Sequence, residues 1–291
     1  MKILLLGANG QLGSDILREN QKNTHPLDII SWQRSDLDII NKEELTRKLQ
    51  EQPFDVLLNC TSYHNTEHVE KTADMAFTVN AFCVRDMARI CKDKKARFAH
   101  VSTDYVFSHS PQNQPLTEEN NPAPLNVYGA SKLMGESLAQ AVHADTLIFR
   151  VASLFGVSGA SGKGGNFVET MIRIGREKGQ LRVISDQIMS PTSTASIASI
   201  ILKALQQNIP SGIYHTVNSG IASWYEFAKA IIENANVKAT VEPMLAADYP
   251  SIIMRPSYSA LNNNKLSKLI GPIATWQEVL SDYLVAKGYK N

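Results

Sequence analysis

A doubly wound α/β architecture is what this 291-residue sequence predicts: a parallel sheet with helices on both faces, followed by a smaller C-terminal lobe. Three observations carry it. Short continuous apolar runs alternate with helical periodicity through the first half, the pattern of a parallel sheet covered on both sides. The first run ends in a glycine-rich turn, Gly7-Ala8-Asn9-Gly10-Gln11-Leu12-Gly13, that leads into a helical pattern. Finally, 43% hydrophobic and 20% charged residues suit one large globular unit or two packed together, and exclude a disordered, collagenous or coiled-coil chain.

The elements follow in order. Ile3 to Leu6 is a strand, and a helix follows Gly13 through Asp15, Ile16 and Leu17. Leu27 to Trp32 is the second strand. Asn41 to Gln52 is a helix, with Leu45 and Leu49 on one face and Pro53 beyond its end. Phe54 to Cys60 is the third strand. Val69 to Lys92 reads as one long helix carrying Met75, Val79, Phe82, Met87 and Ile90. Ala96 to Ser102, a helix over Ser131 to Val142, and Thr146 to Val151 complete the alternation. Residues 1–155 are expected to form a Rossmann-type dinucleotide-binding domain and 156–291 mainly a substrate-binding lobe, with some later segments returning to the main sheet.

Lys and Arg number 29 against 28 Asp and Glu, so broad electrostatic binding to nucleic acid or to an anionic membrane is not expected. Cys60, Cys83 and Cys91 have neither disulfide-framework nor zinc spacing, which points to a reducing compartment. The apolar start is too short for a membrane span and reads as a buried strand, so a cytoplasmic location is expected.

Each glycine of the turn has a use. One lets the chain bend, one lets main-chain N–H groups approach a pyrophosphate, and one permits close helix–strand packing; the helix start adds positive potential. Gly7, Gly10 and Gly13, with Gln11 and Leu12 between them, are therefore candidates for a dinucleotide site. Arg34 follows the second strand where an acidic ribose reader is usual, and it is placed to pair with a 2′-phosphate. That predicts NADPH, or tolerance of NADPH and NADH alike.

Tyr128-Gly129-Ala130-Ser131-Lys132 places a phenol and an amine four apart on one helix face. An ammonium there favours the phenolate and lowers its pKa, and the phenol can donate a proton to a carbonyl as hydride arrives at carbon. Thr103, just past the strand that ends at Ser102, can hydrogen-bond the same carbonyl. Arg255, before Pro256, is placed to grip a diphosphate, with Lys163 a second phosphate candidate. His64, Glu67 and His68 have partial metal spacing without a third histidine or cysteine, and no metal is predicted. Lys92, Lys94, Lys95 and Arg97 read as a solvated helix end, and Trp224, Phe227 and Ile231 as core.

GxxGxxG, STDYVF and YGASK in this order resemble the extended short-chain dehydrogenase/reductase family. The segments Arg150–Gly156, Gly165–Val168 and Asp186–Thr192, with Arg255-Pro256 and Ser259, resemble its dTDP-4-dehydrorhamnose reductase branch over nearly the whole chain. The resemblance implies NAD(P)H-dependent reduction of the 4-keto group of a dTDP-linked deoxysugar. It implies Tyr128 as acid, Lys132 as its partner and ribose anchor, and Thr103 as carbonyl donor. Cofactor positions carry over to Gly10, Gln11, Leu12, Asp38, Ile39, Ser62, Tyr63, His64 and Val101, and substrate positions to Asp104, Ser153, Asn166 and Arg255. Ser153 stands where the family commonly has tryptophan, and the loop Val157 to Gly165 is longer than its usual glycine link. Both leave open another nucleotide sugar, acted on by a reductase or an epimerase; a non-catalytic cofactor-binding subunit is a further alternative. Some members pair through carboxylates around Mg²⁺; Asp15 and Gln187 here do not make such a site, though a homodimer stays open.

Overall fold

The computed structural model describes residues 1–110, 112–158 and 165–290. Strand β1 (Lys2–Leu6) is buried from Ile3 onward, as its apolar run requires. The chain turns at Gly7 into helix α1 (Gln11–Lys22), so the helix begins inside the glycine turn and not after Gly13 as expected. Strand β2 (Asp28–Trp32) leads to α2 (Lys42–Glu51), whose start is fixed by the Asn41 side chain accepting from the Glu44 N–H. Strand β3 (Val56–Asn59) follows.

The single helix expected over Val69–Lys92 is not found. The chain forms α3 (Thr66–Lys71) and α4 (Ala73–Phe77), a π-helical turn over Thr78–Phe82, then α5 (Cys83–Lys94). The break falls at Thr72, whose hydroxyl donates to the His68 carbonyl (2.6 Å) and meets the Tyr63 hydroxyl (3.1 Å). Such side-chain bonds compete with the helix ladder. One extra residue in a π turn rotates the following face by about 100°. Met87 and Ile90 are buried, whereas Met75 and Phe82, counted on the same stripe, are exposed.

Strand β4 (Arg97–Thr103), α6 (Val127–Val142) and β5 (Thr146–Val151) complete the first half. Helix α6 starts four residues earlier than expected because Asn126 caps it, accepting from the Gly129 N–H (2.9 Å). Tyr128 is thereby in the first helical turn. The later half contains β6 (Leu154–Phe155), α7 (Phe167–Lys178), β7 (Gln180–Ile184), β8 (Ile188–Met189), β9 (Thr192–Ser193) and α8 (Thr194–Gln206). It ends with β10 (Gly212–His215), β11 (Ala222–Ser223), α9 (Trp224–Asn234), β12 (Thr240–Met244), α10 (Asn264–Ile270) and α11 (Trp276–Ala286).

Six strands pair in parallel in the order β10-β5-β4-β3-β1-β2. Alternate residues face opposite layers. Ile3 and Leu5 pack in a core with Leu12 and Ile16 of α1, Ile197 and Ile201 of α8, and Leu266 of α10. Leu4 and Leu6 pack with Leu45 and Leu49 of α2 and Met87 of α5. Thus β10, α8 and α10 of the later half belong to the main sheet and its cover. A separate core joins α7, α9 and α11 with β7 and β8, around Phe155, Phe227, Trp276 and Tyr283.

Candidate active site

The strand order reverses between β1 and β3, so a crevice opens outside their carboxyl ends. A cleft of about 890 Å³ lies there, and every sequence-predicted site residue among the described residues lines it. Among the described residues they divide into a first wall, residues 7–132, and a second wall, residues 151–255.

The floor of the first wall is the glycine turn. Gly7 adopts φ +79°, and its N–H and that of Ala8 donate to the Trp32 carbonyl. At Gly13 a Cβ would stand 2.2 Å from the Gly7 oxygen, so only glycine lets α1 start this close to β1. No acidic residue sits in the first turn of α1, leaving its positive end free for an anion. Gln11 Nε2 is buried without a hydrogen-bond partner among the described residues, a donor that suits a phosphate oxygen. These features fit a bound dinucleotide.

At the rim, Arg34 and Asp38 form an exposed pair at 3.3 Å, and Asp38 also accepts from the Ile40 N–H. Ile39 is buried, its carbonyl accepting from Cys83 Sγ. Ser62, Tyr63 and His64 form the loop after β3. Asn80 pins that loop: its Oδ1 accepts from the Tyr63 N–H (2.9 Å), while its Nδ2 donates to the Tyr63 carbonyl and to Ser131 Oγ (both 3.0 Å). The π turn aims Asn80 inward, and Gly135 lets α6 approach it, since a Cβ there would lie 2.1 Å from the Asn80 oxygen.

Thr103, Tyr128 and Lys132 meet in the cleft. The Tyr128 hydroxyl faces the hydroxyls of Ser62 and Thr103, and its ring packs edge-on against Tyr105 at 5.9 Å. Burial pushes the phenol above its ordinary pKa, with the Ser62 and Thr103 contacts opposing. The expected lowering by a neighbouring ammonium is therefore not realised. Lys132 is buried and directs Nζ to the Val101 carbonyl (2.7 Å) and to His100 Nε2 (3.0 Å), and burial pulls its pKa down to about 8. Thr103, the last residue of β4, donates to Asp104 Oδ1 (3.2 Å) and accepts from the Tyr105 N–H (3.2 Å). Asp104 also accepts from Ser259 Oγ (2.6 Å), and burial raises its carboxyl to about 6.

Beneath these groups lies a buried ion pair, Glu136 with Arg150, at 2.6 Å and 2% exposure on both sides. Ser102 Oγ donates to the same carboxylate. It ties α6 to β4 and β5, directly under the site.

On the second wall, Ser153 holds a left-handed backbone (φ +42°), and its carbonyl accepts from the Thr192 N–H. Asn166 caps α7, accepting from the Glu169 N–H, and donates to the Gly156 carbonyl and the Tyr283 hydroxyl. Both of its N–H groups are occupied, so it shapes the wall more than it offers donors. Arg255 lines the cleft near Tyr105 and has no ion-pair partner among the described residues. Trp224, expected in the core, is only partly buried; it lines the cleft and packs against Phe167 at 4.7 Å. It is the first residue of α9, where a helical stripe predicts burial but the helix start lies at the cleft. Phe227 and Ile231 are core residues as expected. Lys163 and most of the Val157–Gly165 loop lie outside the described residues.

Reasoning from sequence missed Asn80, His100 and the Glu136–Arg150 pair. His100 and Arg150 stand on strands whose apolar runs conceal a polar inner lining, and Asn80 depends on a π turn that periodicity does not reveal.

The family described as RmlD substrate binding domain matches residues 1–288. The spore coat polysaccharide biosynthesis protein SpsK of Bacillus subtilis is 32% identical, covering 97% of this chain and 96% of that one. A dTDP-4-dehydrorhamnose reductase structure from Clostridium acetobutylicum superposes with a TM-score of 0.90 at 33% identity, covering 99% of this chain and 100% of that one. One from Bacillus anthracis, in complex with NADP, gives 0.89 at 34%, covering 98% and 99%. The matches span both walls of the cleft, and the chain belongs to the dTDP-4-dehydrorhamnose reductase family.

Proposed function

We propose that the protein reduces the 4-keto group of a nucleotide-linked deoxysugar with NADPH, converting dTDP-4-dehydrorhamnose to dTDP-L-rhamnose. The observation that carries this reading is the meeting of Thr103, Tyr128 and Lys132 in one cleft with the glycine turn. NADPH supplies the hydride. Tyr128, held protonated by burial, donates its phenolic proton to the carbonyl oxygen, so that ketone, hydride and proton together give the alcohol. Thr103 turns its hydroxyl from Asp104 to the same oxygen and steadies the charge that develops there. Lys132, fixed by Val101 and His100, holds the cofactor ribose.

The remaining roles follow from position. The main chain of Gly7 and Gly10–Gly13 cradles the pyrophosphate, with Gln11 Nε2 as an added donor. Asp38 and Ile39 bracket the adenine, Arg34 reads the 2′-phosphate, and Ser62, Tyr63, His64 and Val101 line the path to the nicotinamide. Asp104, Ser153 and Asn166 shape the sugar pocket, and Arg255 grips the diphosphate. Residues 156–291 supply most of that pocket, apart from β10, α8 and α10. Cys60, Cys83 and Cys91 are unpaired, which suits the reducing cytoplasm, where we expect the enzyme to act. Among the described residues no helix is long and apolar enough to cross a membrane.

The test is loss of NADPH absorbance with a panel of 4-keto nucleotide sugars. dTDP-4-dehydrorhamnose is expected to give the highest kcat/KM, and a better substrate with another sugar or base would reassign the second wall.

A further inference from the structure

The start of α7 gives the second wall Gly165, Asn166, Phe167 and Thr170, and what holds that start lies in the last helix, α11. The hydrogen bonds between the two run one way round a closed cycle. The Glu169 main-chain N–H can only donate, so the Asn166 side-chain oxygen faces it (3.1 Å) and the Asn166 NH₂ points the other way. One N–H of that amide goes to the Gly156 carbonyl (2.9 Å) and the other to the Tyr283 hydroxyl oxygen (3.1 Å). Tyr283 therefore accepts from Asn166, and its own hydrogen goes to Glu169 Oε1, since a carboxylate has only acceptors. Glu169 is ionised: burial works against its charge, but the hydroxyls of Tyr283 and Tyr289 and the Lys287 ammonium outweigh that and hold it below its ordinary pKa. The cycle closes where Glu169 returns its main-chain N–H to Asn166. Hydrogen bonds in such a head-to-tail arrangement polarise and strengthen one another.

The cycle is anchored on two sides. Toward the C-terminus, Glu169 Oε2 accepts from the Tyr289 hydroxyl (2.6 Å), Lys287 stands 3.5 Å from Oε1, and Arg176 lies over the Tyr289 ring at 5.2 Å. The Tyr283 ring is buried and packs edge-on against Phe155 at 5.4 Å. Toward the cofactor half, a Cβ on Gly156 would run into Thr194 Oγ1 and Asp15 Oδ2. The carbonyl that Asn166 grips thus belongs to a residue seated against the starts of α8 and α1.

We infer that Tyr283 is a positioning residue for the sugar nucleotide: through Asn166 it fixes the first turn of α7 against Gly156 and so sets the shape of the second wall. This deepens the proposed reductase function and rests on it. The partners of Tyr283 are Asn166, Glu169 and Phe155, all on the second wall or in the lobe behind it. Its effect therefore falls on how tightly the substrate is held, and not on the hydride or proton step.

The test is steady-state kinetics of the full chain with dTDP-4-dehydrorhamnose, beside titration with NADPH. Tyr283→Phe deletes one oxygen and keeps the aromatic packing. KM is expected to rise about five- to tenfold, the scale of one lost hydrogen bond, with kcat and NADPH affinity within about twofold. Glu169→Ala also opens the cycle and is expected to raise KM to a similar extent. Glu169→Gln keeps an oxygen for Tyr283 and offers an N–H to the Tyr289 oxygen, so its KM is expected within about twofold of wild type. Lower stability with KM unchanged in Tyr283→Phe marks a merely structural role and overturns the inference. So does a parallel loss of kcat and NADPH affinity, or a Glu169→Gln as impaired as Glu169→Ala. If Tyr283→Phe does not fold, the two Glu169 variants decide. Failure of the reductase reading looks different: the wild-type chain itself then leaves dTDP-4-dehydrorhamnose unreduced.

Discussion

The two walls of the cleft are built by different means. The first stands on the ends of β1, β3 and β4 and on the start of α6, and it presents main-chain groups and buried, mutually bonded side chains. The second comes from the turn after β5, the starts of α7 and α9 and the stretch around Arg255, and it presents aromatic faces, a left-handed serine and an arginine with no ion-pair partner among the described residues. A cofactor common to many enzymes can be met by main-chain geometry, because its pyrophosphate asks only for N–H groups at a fixed bend. A particular sugar nucleotide asks for side chains, and in the proposed function most of those come from the second wall.

Substitutions should separate the walls. The largest effect is expected at Tyr128→Phe, which should lower turnover by about 10²–10⁴-fold while NADPH affinity, read by fluorescence titration, stays within about twofold. A parallel loss of NADPH binding would mean that the first wall is not divisible into chemistry and anchorage. Glu136→Ala leaves Arg150 charged and buried without its partner. It should cost about 3–5 kcal/mol in denaturant unfolding. Arg34 is a guanidinium–carboxylate pair of the opposite kind, with 79% of its side chain exposed. Arg34→Ala should barely change stability, yet weaken NADPH by about 10–100-fold, with NADH unchanged. Equal effects on both cofactors would remove it from the 2′-phosphate. Trp224→Ala tests the second wall. It should raise KM for the sugar nucleotide by up to about tenfold, with NADPH affinity untouched.

A further effect concerns pH. Asp104 has its carboxyl raised from 3.8 to about 6 by burial. Between those values the folded state binds the proton that the unfolded state has lost, so this group makes stability fall as pH rises. Asp104→Asn should remove that slope, and chemical denaturation of both proteins at pH 4 and pH 7 measures it.

The first wall was largely legible because its signals are local. Gly7 to Gly13, Thr103 and the Tyr128–Lys132 spacing each occupy a few consecutive residues, and the strands that carry them are plain apolar runs. Where reasoning failed, distant partners decided. Asn80 reaches the Ser62–Tyr63 loop only because a π turn breaks a periodic stripe. Lys132 turns to His100, a residue 32 positions away that no local pattern ties to it. Trp224 satisfies helical spacing, but its place at the helix start exposes it to the cleft.

The edge strand β10 has a consequence for biosynthesis. It pairs with β5 only after residue 212 has been made, and α8, which covers α1, begins at Thr194. A ribosome that has delivered residues 1–155 has therefore released every glycine of the turn and the Tyr–Lys pair, but left one margin of the sheet unpaired and one flank of α1 bare. The nascent cofactor half must wait for some sixty further residues before it can close, which makes a truncated fragment a poor substitute for the whole and a candidate for chaperone capture.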